Sequence, residues 1–257
     1  MRKLFPLNCG KTLITHLMNG TTPSEIISQC RNGAVDGADA IALELHRLPP
    51  EFRTKDVFKS IIDCVPIPFM FILYRRNIFN DDSDDEKRIA VLMDAVDAGA
   101  GMIDIVGDTY APSPDECTYN PEAIEKQTQL IKEIHNRGAQ VIMSSHPCRY
   151  MSSDEVFRQL SSFAQRGADV VKLVAIANTD AEFHESVGTF MRLNHDLNKP
   201  YVYLCGGEFA TIQRFLGLQL GCAITFGIHE YPSNGDYGIQ PTIRQFKNVQ
   251  SSILWHI

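Results

Sequence analysis

The chain has 257 residues, 44% hydrophobic, 21% charged and 9% aromatic, with a formal net charge of −7. These values describe a globular protein rather than a disordered or fibrous one, long enough for one large α/β domain or two smaller ones. An acidic balance argues against nucleic acid or an anionic membrane as the main partner, but leaves room for a small anion held by a local cluster of Arg and Lys.

Short apolar, β-branched runs alternate with helical patterns from end to end. The first predicted strand is Leu13 to Leu17, and Pro23 opens a helix whose pattern ends near Gly37. Strand Ala40 to Leu45 precedes a helical stretch from Lys55 to Cys64. Strand Phe69 to Tyr74 ends at Arg75 and Arg76 and is followed by an acidic loop, Asp81 to Glu86, then a helix to Ala98. That loop lacks calcium-loop spacing and reads as a solvated segment with a capping role. Strand Met102 to Val106, helix Pro121 to Asn136, strand Gln140 to Ser144 and helix Ser153 to Gln165 come next. Strand Val170 to Ile176, helix Ala181 to Asn194, strand Tyr201 to Leu204, helix Phe209 to Leu218 and strand Ala223 to Phe226 follow. A helix from Pro241 to Leu254 closes the series.

Eight strand–helix units, with apolar strands and glycines at the helix ends (Gly37, Gly99, Gly138, Gly167, Gly221), predict a (β/α)8 TIM barrel of the class I aldolase type. No phosphate-binding glycine loop follows any strand, which removes the nucleotide-binding open sheet. No Pro/Gly/Ser tract divides the chain, so the expectation is a single domain over residues 1–257. Seven dispersed cysteines without a C-x-x-C pair read as reduced thiols. The start, Met1-Arg2-Lys3-Leu4-Phe5-Pro6, lacks the apolar run of a signal peptide, and the expected location is the cytoplasm.

In such a barrel the chemistry sits at the carboxyl ends of the strands. The polar residues falling there are Glu44 and His46, Arg75 and Arg76, Asp104, Ser145 and His146, Lys172, Arg214 and Ser233. Lys172 stands in an apolar run without another charge between Asp169 and Asp180. Burial disfavours the ammonium form, and a Schiff-base nucleophile must be the free amine. A lysine at a strand end can equally reach out to water along its stem. His146, one unit earlier at the same mouth, tips the balance, because an imidazole beside an imine can shuttle the α-proton. Arg75 or Arg76, together with Arg214, would present planar forks to a carboxylate or phosphate. One of the Arg75/Arg76 pair is a surface residue on any reading. There is no zinc spacing and no nucleophile elbow, so neither a metal nor a cofactor is required.

The order Glu44, strand-three Arg, Ile103-Asp104-Ile105, Met143-Ser144-Ser145-His146, Val171-Lys172-Leu173, Thr211-Ile-Gln-Arg214-Phe-Leu-Gly and Ala223-Ile-Thr-Phe-Gly227 resembles type I 3-dehydroquinate dehydratase over nearly the whole chain. That resemblance implies a cofactor-independent, usually dimeric lyase of the shikimate pathway, serving aromatic amino acid biosynthesis and acting on a small anionic keto acid. Lys172 would form the imine and His146 would be the acid and base. Arg214 would hold the carboxylate, Glu44 and Arg75 the ring hydroxyls, with His46 beside them, and Ser233 would sit in the covering loop. The chain departs from the family pattern at His46 and Val106, which replace an arginine and a glutamate. It also lacks the Glu-Gly-Gly whose carboxylate orients the histidine, and Asp236 and Gln240 are out of register for the closing-loop glutamine. The alternatives are an imine-forming lyase or aldolase for another hydroxylated keto acid, and a barrel that binds without turning over.

Overall fold

The structure, a computed structural model, describes residues 2–75, 84–232, 235 and 237–252. In chain order the strands are β1 Leu13–Met18, β2 Ala40–Glu44, β3 Phe69–Ile72, β4 Met102–Val106, β5 Gln140–Ser145, β6 Val170–Ile176, β7 Tyr201–Gly206 and β8 Ile224–Gly227. Between them run α1 Pro23–Val35, α2 Lys55–Ile62, α3 Asp85–Ala98, α4 Pro121–Asn136, α5 Ser153–Gln165, α6 Asp180–Asp196, α7 Ala210–Gln219 and α8 Ile243–Ser252. Two short 3-10 turns, Leu45–Arg47 and Pro50–Phe52, lie between β2 and α2. Every strand pairing is parallel, in the order β7-β6-β5-β4-β3-β2-β1-β8. The edges β7 and β8 meet where the Ala223 amide donates to Tyr201 O at 2.8 Å. The eight-unit barrel expected from the sequence is the fold observed.

Local chemistry sets the boundaries. Thr22, Thr54, Asp84, Asn120, Ser152 and Thr179 cap the first six helices through their side chains, and Ser152–Glu155 and Thr179–Glu182 close capping boxes. Gly99 ends α3 at φ 114°, a left-handed position that only glycine adopts at little cost.

Alternation along each strand makes two cores. Ala42, Met70, Ile72, Met102, Ile142, Val170, Val202, Ile224 and Phe226 fill the barrel, and their neighbours Ile41, Leu43, Phe71, Ile103, Val141, Met143, Val171 and Tyr203 pack under the helices. Phe5 closes the amino end of the barrel, its amide donating to Gln140 Oε1 and its carbonyl accepting from Gln140 Nε2. Continuing the inward phase by two residues from the apolar layer reaches Glu44, Tyr74, Asp104, Ser144 and Lys172. The carboxyl end of the barrel therefore carries a polar layer directly above an apolar one.

The loop from β4 to α4 is built around a buried guanidinium. Arg166 donates to Gly107 O and Gln127 Oε1 at 2.7 Å and to Thr118 O at 2.7 Å. No carboxylate pairs with it among the described residues, so these oxygens, together with Ser162 Oγ at 3.3 Å, carry the charge. Replacing Arg166 with Met, which fills much of the volume, takes the guanidinium donor from Gln127 Oε1 and Thr118 O, while Gly107 O keeps the Thr118 amide and Gln127 Nε2. The expected cost is about 3 kcal/mol, read as a lower urea midpoint at unchanged m-value.

Candidate active site

A cavity of about 190 Å3 opens at the carboxyl end of the barrel, lined on one side by Leu17, Ile72, Val174, Leu204 and Phe226. Its polar lining is Glu44, Tyr74, His146, Lys172, Arg214, Tyr237 and Gln240. Four residues singled out from the sequence, Glu44, His146, Lys172 and Arg214, thus meet in one space.

Lys172 is held by its own barrel layer. Its Nζ donates to Tyr74 Oη at 2.7 Å and lies 3.5 Å from Asp104 Oδ2. Tyr74 Oη donates to that same oxygen at 2.9 Å, while Ser144 Oγ donates to Asp104 Oδ1 at 2.5 Å. Removal from water pushes the Tyr74 phenol well above its ordinary range, and the charges of Asp104 and Glu44 push it further. The rings of Phe226 and Tyr74 lie 5.3 and 5.4 Å from Nζ.

His146 finds its carboxylate in a place the sequence did not suggest. Glu116, in the β4–α4 loop, accepts from both the His146 amide and Nδ1, each at 2.8 Å and each through Oε2. Burial would push the Glu116 carboxyl up, but the His146 contacts bring it below the usual range. A carboxylate can only accept here, so Nδ1 carries the proton and Nε2 presents the lone pair. The Tyr74 ring meets the imidazole edge-on, with centroids 4.8 Å apart.

Arg214 is buried on α7. It donates from Nε to Gln240 Oε1 at 2.9 Å and from Nη1 to Cys205 O and Ala210 O. Burial pushes its pKa down to about 10, and no carboxylate pairs with it among the described residues. Gln240, discounted from its register in the sequence, is therefore a cavity residue. Glu44 accepts from Tyr237 Oη, which itself accepts from Asn19 Nδ2 at 2.8 Å, and His46 Nδ1 stands 3.5 Å behind Glu44 Oε2. His46 braces Glu44 and does not line the cavity.

Arg75 requires a correction. By strand phase Ile72 and Tyr74 face inward, so Arg75 faces outward, where its guanidinium pairs with Asp85 at 2.8 Å and Asp108 at 2.5 Å. Asp85 also takes Arg88 at 2.6 Å and the Tyr110 amide at 2.6 Å, so this member of the acidic segment is a partly buried hub rather than a solvated residue. Arg76, Asp81, Asp82 and Ser233 lie outside the described residues. Ser145 faces away from the cavity, its Oγ buried without a partner among the described residues.

Two signals for the missed residues were present. Tyr74 shares the parity of Met70 and Ile72, and Glu116 belongs to an acidic pair, Asp115-Glu116, on a loop leaving the catalytic end. Their placement depends on the strand ends and on tertiary docking. Among the described residues no three His, Cys, Asp or Glu converge as metal ligands, and no helix is long and apolar enough to cross a membrane.

The family model for type I 3-dehydroquinase matches residues 16–252. A 3-dehydroquinate dehydratase of Alkaliphilus oremlandii is 31% identical over 129 residues, covering 49% of this chain and 49% of that protein. One from Latilactobacillus sakei is 30% identical over 113 residues, covering 43% and 47%. The chain spans about half the length of the curated relatives it matches. The fold is that of the type I 3-dehydroquinate dehydratase of Clostridium difficile, solved with covalently modified comenic acid, at TM-score 0.78 and 15% identity over 95% of this chain and 92% of that one.

The Arg75 hub has a pH signature. Burial alone would push Asp85 up, but Arg75, Arg88 and the Tyr110 amide bring it down to about 2 from 3.8. A depressed carboxyl stabilises the fold fully above its unfolded value, and that contribution disappears as pH falls through the folded one. About 2 kcal/mol should therefore be lost between pH 4 and pH 2. Urea titrations across that window should show this component in the native protein and its absence in Asp85→Asn.

Proposed function

The chain belongs to the type I 3-dehydroquinase family, and from that premise we propose that it dehydrates 3-dehydroquinate to 3-dehydroshikimate through an imine on Lys172. The observation that carries this reading is the convergence of Lys172, His146 and Arg214 on one cavity. Arg214 is a buried cation with oxygen dipoles but no carboxylate among the described residues, and the substrate carboxylate would supply a counter-charge. Glu44, oriented by Tyr237, would accept from a ring hydroxyl.

Each step follows from the side chains. The Lys172 amine condenses with the C3 ketone, and water leaves. The resulting iminium draws electrons from the adjacent carbon, so His146 Nε2 can take the C2 proton and an enamine forms. The enamine then expels the C1 hydroxyl, which departs as water with the proton His146 has just acquired. Hydrolysis of the new imine frees Lys172. One imidazole serves twice because base and acid steps are sequential, and Glu116 holds its tautomer through both. No cofactor enters this sequence. The reading also takes the chain as one barrel domain acting in the cytoplasm as a homodimer.

A second reading, an imine-forming lyase or aldolase for another hydroxylated keto acid, draws support from the removal of Arg75 from the mouth. Incubation with 3-dehydroquinate, borohydride reduction and peptide mass spectrometry separates the two. We expect an adduct on Lys172, retained in His146→Ala while turnover falls by about 10²- to 10⁴-fold. Trapping with other keto acids only would move the assignment to the second reading, and no trapping with any carbonyl would overturn both.

Glu116 is expected to act on rate rather than on affinity. Glu116→Ala should lower kcat about 100-fold with KM little changed, since it removes a positioning group rather than a substrate contact. A change confined to KM would count against that role.

A further inference from the structure

The steps above give Tyr74 no task, yet its hydroxyl lies between the nucleophilic amine and a pinned carboxylate. It accepts from Lys172 Nζ at 2.7 Å and donates to Asp104 Oδ2 at 2.9 Å. The direct separation from Nζ to Oδ2 is 3.5 Å, too long for efficient proton transfer. Ser144 fixes the other Asp104 oxygen, so the carboxylate cannot swing toward the amine without breaking a 2.5 Å bond. Amine, phenol and carboxylate thus form a hydrogen-bonded chain aligned for transfer in either direction. The phenol resists ionisation where it sits and remains a neutral bridge.

We propose that Tyr74 is a catalytic residue of imine formation, relaying protons between Lys172 Nζ and Asp104. This rests on the Schiff-base reading of Lys172. The ammonium passes one proton to the tyrosine oxygen as the tyrosine passes its own to Asp104, leaving a free amine, an intact phenol and a neutral carboxylic acid. The amine lone pair then attacks the carbonyl carbon, and the carbonyl π pair moves to oxygen. A second nitrogen proton moves to that oxygen, giving the carbinolamine. Asp104 returns its proton through Tyr74 to the hydroxyl, the C–O bond breaks, water departs and the nitrogen lone pair forms the iminium. Three protons begin on nitrogen; one ends there and two leave in the water. Hydrolysis runs the same relay backwards.

The test uses Tyr74→Phe, which keeps the aromatic ring and removes only the bridging oxygen. It is made in the His146→Ala background, where elimination does not drain the adduct. Both proteins are mixed with 3-dehydroquinate, quenched with borohydride at intervals and scored for reduced adduct on Lys172. A parallel series uses glyoxylate, a small carbonyl that makes little demand on substrate recognition. The relay predicts adduct formation about 100-fold slower in the phenylalanine protein with either carbonyl, at unchanged Tm. It also predicts a normal solvent deuterium effect in the parent that is lost in the variant. Asp104→Asn should slow trapping to a similar extent, and the double variant should be little worse than either single one, as for residues that act as a unit. Equal trapping rates with glyoxylate in the two proteins would overturn the relay. Failure with 3-dehydroquinate alone, alongside slowed glyoxylate trapping, supports the relay and rejects only the proposed substrate.

Discussion

An amine placed inside a barrel has to be solvated by the protein, and the carboxyl-end layer is arranged around that requirement. Lys172 sits on the inward phase of β6 directly above Val170, with Val174 above it in turn. It borders a cavity whose apolar lining is Leu17, Ile72, Val174, Leu204 and Phe226. The hydrogen-bonding groups within reach of Nζ are those that the same two-residue alternation delivers from β4 and the end of β3. The geometry that packs Met102 and Ile72 below also sets Asp104 and Tyr74 above, so the core and the site share one construction.

Four guanidiniums show how differently the protein compensates one kind of charge. Arg75 and Arg88 share Asp85 and tie α3 to the β4 side of the barrel through Asp108. Arg166 relies on carbonyl and amide oxygens and thereby shapes the loop bearing Glu116. Arg214 also relies on such oxygens, but it borders the cavity. Desolvation without a formal counter-charge is costly, and of these four only at Arg214 can a bound anion relieve it from the cavity. The net charge of −7 therefore coexists with a buried guanidinium at the cavity.

Much of this was legible before any coordinates. Caps, helix-ending glycines and apolar strands are local signals, and they fixed the eight units to within a few residues because nothing tertiary was needed to read them. Lys172 stood out as one charge in an apolar run, and His146 and Arg214 followed from their places at strand and helix ends. The failures lie where a single residue of phase decides direction. Arg75 was preferred for the mouth, yet the phase of Met70 and Ile72 carries it outward. The carboxylate behind His146 comes from a different loop, docked by Arg166 across 48 residues of chain, which no local pattern encodes.

Glu116 adopts φ 49°, a left-handed backbone conformation that costs a non-glycine residue about 1 kcal/mol. Its neighbours hold it there: Ser113 bonds on either side of Cys117, and Gln159 takes Asp115 O. A glycine at this position would relax the backbone while erasing the carboxylate that steadies the imidazole. Robustness and turnover thus pull in opposite directions at one residue, and a selection for thermal tolerance alone would drift toward a firmer barrel with a slower histidine.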